Sequence, residues 1–277
     1  MNEGLLTIPA SDIPDSLIKE MSHIIEKYST VLIRLSINNE GKGNATLIGS
    51  GTLVSIGEIN GILTAHHIAR ELSLHDALGL TLIEDVQNII IPYQHLRIID
   101  IAIPQKDSIG PDLSYIIIPD PYLNNIKAYK SFYPILVDKE RILKYPQENR
   151  QDLWFVCGTI GERTKEEIPQ KGFEQVFGYS GFCGMTFVEN SYEIGSFDYI
   201  EVKAEFGEEV TPKSFGGFSG GGLWRVSLRM DAQCNLLAKE YILSGVIFYE
   251  FILDEEKYLR SHGPNSVYRK KIDKVQS

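Results

Sequence analysis

The chain has 277 residues, 43% hydrophobic and 23% charged, with 27 Lys and Arg against 37 Asp and Glu for a formal net charge of -10. That composition excludes a disordered chain, and the length lets a core form without a metal or disulfide staple. The acid excess argues against a nucleic-acid partner, and apolar runs such as Ile89–Ile91 and Ile116–Ile118 are too short to span a bilayer.

Between Pro14 and Tyr28 the apolar residues Leu17, Ile18, Met21, Ile24, Ile25 and Tyr28 fall at helical spacing. Ser11 and Asp12 are candidate caps upstream, and Pro14 suits a first turn. The chain then becomes strand-rich, with runs at Thr30–Ile37, Ala45–Ile56, Ile59–Thr64, Leu80–Ile83, Asn88–Tyr93, Leu96–Ile103 and Leu113–Pro119. Short β-branched runs punctuated by Gly, Pro, Asn and Asp predict an antiparallel barrel or sandwich. Asp120–Arg150 carries three prolines and many charges and reads as a connector. Strands resume at Leu153–Thr159, Gln175–Gly178, Met185–Val188, Tyr199–Ala204, Leu223–Leu228 and Ile242–Glu250, and a helix is expected within 264–276.

Cys157, Cys183 and Cys234 are odd in number and far apart, with no CxxC or Cys/His cluster, so neither a zinc site nor a disulfide framework is expected. The start Met1-Asn2-Glu3-Gly4 lacks the basic and apolar character of a signal peptide, which predicts a reducing, cytoplasmic setting.

Three segments carry chemistry: Ile62-Leu63-Thr64-Ala65-His66-His67, Pro111-Asp112-Leu113-Ser114 and Gly216-Gly217-Phe218-Ser219-Gly220-Gly221-Gly222. They supply a base, an acid and a hydroxyl in the order His, Asp, Ser. A serine hydroxyl becomes nucleophilic when an imidazole takes its proton, and a carboxylate holds that imidazole in one tautomer. Glycines around the serine let backbone amides converge on a developing oxyanion. His66 competes with His67, and Asp100 and Asp107 compete with Asp112. The glycine-rich run also admits a phosphate loop, but it lacks the Lys-Ser/Thr ending and the strand-to-helix setting.

In these three segments the chain resembles the trypsin-like (chymotrypsin-fold) serine peptidases, from about Thr30 onward. Thr64-Ala65-His66-His67 is similar to the family's Thr-Ala-any-His, which selects His67. Asp112-Leu113-Ser114 resembles its Asp-Leu-Ala-like segment, and Gly217-Phe218-Ser219-Gly220-Gly221 its Gly-any-Ser-Gly-Gly loop. The resemblance implies an all-β fold of two antiparallel six-stranded barrels, at about 30–119 and 151–255, with the 120–150 connector between them. A 1–29 helical extension would precede this 30–277 peptidase domain. It implies His67, Asp112 and Ser219 as catalytic residues, and the amides of Gly217 and Ser219 as the oxyanion hole. Ile247, Phe248 and Tyr249 would wall the substrate pocket, with Lys213 at its base favouring an acidic side chain. Phe218 stands where secreted members carry an Asp that captures a new N-terminus, so activation by cleavage is not expected. The expected partner is a polypeptide substrate, with a regulatory protein possible, and no metal or other cofactor is required. The competing readings are a peptide-binding module on the same fold and an esterase with the same triad.

Overall fold

Leu17, Met21 and Ile25 lie one helical turn apart and bury one face of α1 (Asp15–Glu26). In the computed structural model the described residues are 12–37, 43–83, 87–104, 110–137, 139–144, 152–163, 165–167, 176–204, 206 and 211–269. Pro14 takes the N-cap position with no side-chain cap, Asp12 lies two residues ahead of it, and Ser11 lies outside the described residues. The three buried side chains of α1 join a core that includes Val54, Phe155 and Trp224, so one helix is packed against both halves of the chain. Fully burying such side chains contributes about 1.5–3 kcal/mol each, as an upper estimate. At the end of α1, Tyr28 stacks on Trp224 at 5.3 Å, and Tyr133 meets Trp224 edge-on at 5.2 Å.

The first half contains β1 (Ser29–Ile37), β2 (Gly43–Ile56), β3 (Ile59–Thr64), β4 (Ala77–Ile83), β5 (Gln87–Pro92), β6 (Arg97–Ala102) and β7 (Leu113–Ile117). Helix α2 (His66–Leu72) follows β3. The strand order is β5-β4-β1-β2-β3-β7-β6. The two end strands are consecutive in the chain, joined by the single turn Tyr93–His95. The hydrogen-bond ladder is therefore open, and its two ends are joined only through the chain.

The connector folds into α3 (Asp120–Lys127), the two-residue β8 (Tyr133–Pro134), which pairs in parallel with β2, and α4 (Lys139–Lys144). The second half contains β9 (Asp152–Thr159), the short hairpin β10 (Lys165–Glu167) and β11 (Val176–Gly178), then β12 (Gly181–Thr186), β13 (Val188–Ile194) and β14 (Phe197–Lys203). It ends with β15 (Gly222–Met230), β16 (Leu236–Leu253), β17 (Glu256–His262) and α5 (Pro264–Arg269). The order is β12-β9-β15-β16-β17-β14-β13, and the end strands β12 and β13 are again sequence neighbours, separated by Phe187. Counting β5 with β6, and β12 with β13, as one bent strand each, both halves are six-stranded antiparallel barrels seamed at the bend. This is the chymotrypsin-like architecture.

One expectation needed correction, the end of the second half. Among its described residues the connector carries two short helices and is packed, with Leu123, Ile126, Ile135 and Ile142 buried. The second barrel runs to His262 rather than stopping near 255, because Glu256–His262 is a strand whose charged, half-exposed face hid its pattern. The terminal helix spans Pro264–Arg269, and 270–277 lie outside the described residues. Among the described residues no helix is long and apolar enough to cross a membrane.

Candidate active site

The pairing of β3 with β7, in the register Thr64↔Ser114, carries Asp112 just past the end of β3, where α2 begins. Ala65 at the α2 N-cap offers no side-chain cap. The Asp112 carboxylate supplies one instead: the His67 backbone N–H donates to Asp112 Oδ1 at 2.9 Å. The other oxygen, Oδ2, accepts from His67 Nδ1 at 2.5 Å. A carboxylate only accepts here, so the Nδ1 proton is fixed and Nε2 is left as the free ring nitrogen. Burial pushes the Asp112 carboxyl up, but the His67 hydrogen bonds and charge outweigh it and hold the group below its ordinary value.

His66, next in the chain, points elsewhere. It is buried, with Nδ1 donating to Asp100 Oδ1 at 3.0 Å and 3.1 Å from the Ser114 hydroxyl, which itself donates to Asp100 at 3.0 Å. The second histidine and the second aspartate thus form a separate pair. Asp107 lies outside the described residues.

Ser219 sits between two consecutive tight turns. Phe218 N–H donates to Phe215 O, and Gly221 N–H to Phe218 O, each at 2.9 Å. The third residue of each turn is a glycine with positive φ, Gly217 at 94° and Gly220 at 90°, which marks both as type II. In the first turn the Gly216 carbonyl accepts from Gly161 N–H at 2.7 Å. A trans peptide sets C=O and N–H on opposite sides, so the Gly217 N–H points away from Gly161. Neither the Gly217 nor the Ser219 N–H has a hydrogen-bond partner among the described residues.

The loop is pinned from both barrels. Ser50 N–H donates to Ser219 O at 2.8 Å, and the buried Ser50 hydroxyl donates to Gly217 O at 2.7 Å while accepting from Thr159 N–H at 2.8 Å. On the β16 side, Gly220 N–H donates to Ile247 O and Ile247 N–H to Gly221 O. Upstream, two carboxylates hold the approach: Glu162 accepts from the Lys213 and Ser214 N–H groups, and Glu250 from the Phe215 N–H.

His67, Pro104, Gly110, Asp112, Phe248 and Tyr249 line a cleft of about 270 Å³. The Ser219 hydroxyl donates to the Phe248 carbonyl at 3.4 Å, which ties the loop to that wall. Of the residues expected at the pocket, Phe248 and Tyr249 line the cleft. Ile247 is a core residue, 1% exposed. Lys213 is exposed; its carbonyl accepts from the Lys257 ammonium, and its side chain is not part of this cleft.

The residue that sequence reasoning missed is His262, the last of β17, fully buried, whose Nε2 accepts the Asp112 backbone N–H at 2.9 Å. Burial drives its pKa down to about 4 against the partial opposition of Asp112 and Asp198. The consequence for stability has a definite sign. An unfolded histidine takes its proton near its ordinary value of 6.5, whereas the folded one resists until about pH 4. Stability therefore falls as the pH drops from 6.5 towards 4, by up to about 3 kcal/mol from this group. Asp112 adds a further loss only below its unfolded value of 3.8. Urea unfolding at pH 7, 6, 5 and 4.5 should show this decline in the wild type and a shallower one in His262→Phe; equal slopes would mean the folded ring is not held neutral.

Neither protein-family models nor curated proteins match the chain. Among solved structures, the Tobacco vein mottling virus protease is 13% identical over 86% of this chain and 77% of that chain, with a TM-score of 0.37. A mutant Tobacco Etch Virus protease is 12% identical over 91% and 78%, with a TM-score of 0.38. A structure from work on the Sesbania mosaic virus VPg protein is 13% identical over 86% and 88%, with a TM-score of 0.41. At these values the fold assignment rests on the strand order described above.

Proposed function

We propose that the chain is a serine-type endopeptidase that cleaves polypeptides through an acyl-enzyme. The observation that carries this reading is the two-point grip of Asp112 on His67, together with a serine loop whose Gly217 and Ser219 N–H groups have no partner among the described residues. The Ser219 hydroxyl turns from the Phe248 carbonyl towards His67 Nε2 and gives up its proton as its oxygen bonds to the scissile carbonyl carbon. The carbonyl oxygen becomes an oxyanion held by the Gly217 and Ser219 N–H groups. His67 returns the proton to the departing amine as the C–N bond breaks. Water then repeats the sequence, releasing the new carboxylate terminus and restoring Ser219. The scheme uses no metal or organic cofactor. Serine rather than cysteine is assigned as nucleophile because the 216–222 loop contains no cysteine, while Cys157 is buried in β9, Cys183 sits opposite it on β12 with its thiol pushed up by burial, and Cys234 lies at an exposed turn. The peptidase unit is proposed to span 30–277, with the helical 1–29 segment ahead of it.

The test is covalent labelling by a fluorophosphonate, followed by a peptide-library cleavage profile with Ser219→Ala as control. Labelling at Ser219 with peptide cleavage supports the proposal. A protein that neither labels nor cleaves is a binding module, and one that hydrolyses small esters but no peptide is an esterase. Comparing the profiles of wild type and Lys213→Ala settles specificity. With Lys213 exposed and the cleft walled by Phe248 and Tyr249, the two profiles should coincide and favour apolar side chains.

A further inference from the structure

We propose that His262 is a positioning residue for the acid of the site: it holds the Asp112 main chain from the second barrel, so that the carboxylate meets His67 in a fixed orientation. The inference rests on the peptidase reading for its kinetic consequence, but not for its structural one.

Asp112 follows a turn at Gly110, where φ is 79°, and it precedes the first residue of β7. Its side chain is held by His67. Its backbone N–H would otherwise be a buried donor in irregular chain. His262, 150 residues later, supplies the acceptor. Because Nε2 accepts, the ring proton resides on Nδ1, and that nitrogen is buried with no partner among the described residues. A buried donor without a partner is destabilising. A phenyl ring would fill a similar slot without that defect, so packing alone does not account for a histidine here. What the imidazole adds is an acceptor directed at the Asp112 main chain.

The surroundings fix where that acceptor points. His262 pairs with Val246 on β16 and Tyr199 on β14. Its ring stacks on Phe248 at 4.7 Å and 26° and lies against Tyr199 at 5.4 Å. Phe248 is also the residue whose carbonyl accepts the Ser219 hydroxyl. A Cβ on Gly110 would lie 3.1 Å from the Tyr199 ring and 3.2 Å from the Phe248 ring, so the turn is seated on the same aromatic platform. The acid of the first barrel and the serine loop of the second are therefore both referenced to the β16–β17 pair. In a barrel-interface site, where small displacements are costly in rate, this link sets the distance between the two barrels' contributions.

The experiment compares wild type, His262→Gln, which retains an acceptor, and His262→Phe, which retains only the ring. The first readout is the low-field proton resonance of His67 Nδ1, which requires no turnover. It should persist in wild type and His262→Gln and be lost or shifted upfield in His262→Phe. The second readout is kinetic. His262→Phe should lower kcat by about 10–100-fold with KM within about twofold, and His262→Gln should recover most of the loss. A His262→Phe protein with an unchanged His67 resonance overturns the proposal, whatever its activity. So does a His262→Gln protein that is as impaired as His262→Phe, since a packing role would not distinguish an acceptor. If wild type shows the resonance but no cleavage or labelling, the peptidase reading falls while the positioning role is still decided by the spectra.

Discussion

Replacing His67 with alanine is expected to lower kcat/KM for a peptide substrate by about three to six orders of magnitude, whereas His66→Ala should stay within a few-fold of wild type. The two residues are adjacent, yet their environments are opposite. His67 opens onto the cleft, with its Nδ1 and its backbone N–H both on Asp112. His66 is turned inward onto Asp100 and Ser114. Its loss should appear in stability instead, at about 1–2 kcal/mol, because Ser114 is buried while Asp100 retains solvent. Measuring kcat/KM beside the urea midpoint for both variants separates the roles. A His66→Ala variant that is inactive while folded would shift the base by one residue and undo the site as described.

The second large effect is expected at Gly220. An alanine Cβ there would lie 1.9 Å from the Ser50 carbonyl oxygen and 2.1 Å from the Thr64 hydroxyl, at a φ of 90°. Neither neighbour can give way easily, since the Ser50 oxygen belongs to β2 and accepts the Thr64 hydroxyl. Backbone strain and overpacking add, so Gly220→Ala should cost about 3–5 kcal/mol. In a chain of this size that is a Tm lower by roughly 5–9 °C, with the serine loop displaced and activity lost. Gly195 provides the control. Its φ is also positive, at 63°, but a Cβ there meets nothing within 4 Å. Gly195→Ala should cost only about 1 kcal/mol. Equal melting temperatures for the two variants would show that the close approach of β2 is not what fixes the loop.

The strands of the first barrel were legible because their β-branched runs are bounded by Gly, Pro and Asn, and α1 because its apolar residues recur at one-turn intervals. The connector helices were harder to read: α3 spans eight residues and α4 six, too short for a helical period to stand out from a proline-containing, charged stretch. Strand β17 was hidden for a related reason. Its sequence, Glu-Lys-Tyr-Leu-Arg-Ser-His, sets charged groups on a partly exposed face, so neither alternation nor apolar content marked it. With the strand went His262.

What the sequence determined by itself were local properties: the glycines that permit two successive type II turns around Ser219, the β-rich punctuation, and the three segments able to supply a base, an acid and a hydroxyl. What only the tertiary structure decided were orientation and partnership. Whether His66 or His67 faces the cleft follows from the register of β3 on β7 and the start of α2, because one residue's shift turns a side chain to the other face. That Asp112 rather than Asp100 meets His67 follows from the same pairing. That Ile247 packs into the core of the second half while Phe248 lines the cleft is decided by packing alone, because both lie in a continuously buried run of β16. The contact of His262 with Asp112 joins residues 150 positions apart. No local pattern encodes such a contact, because it exists only where the two separately folded halves of the chain meet.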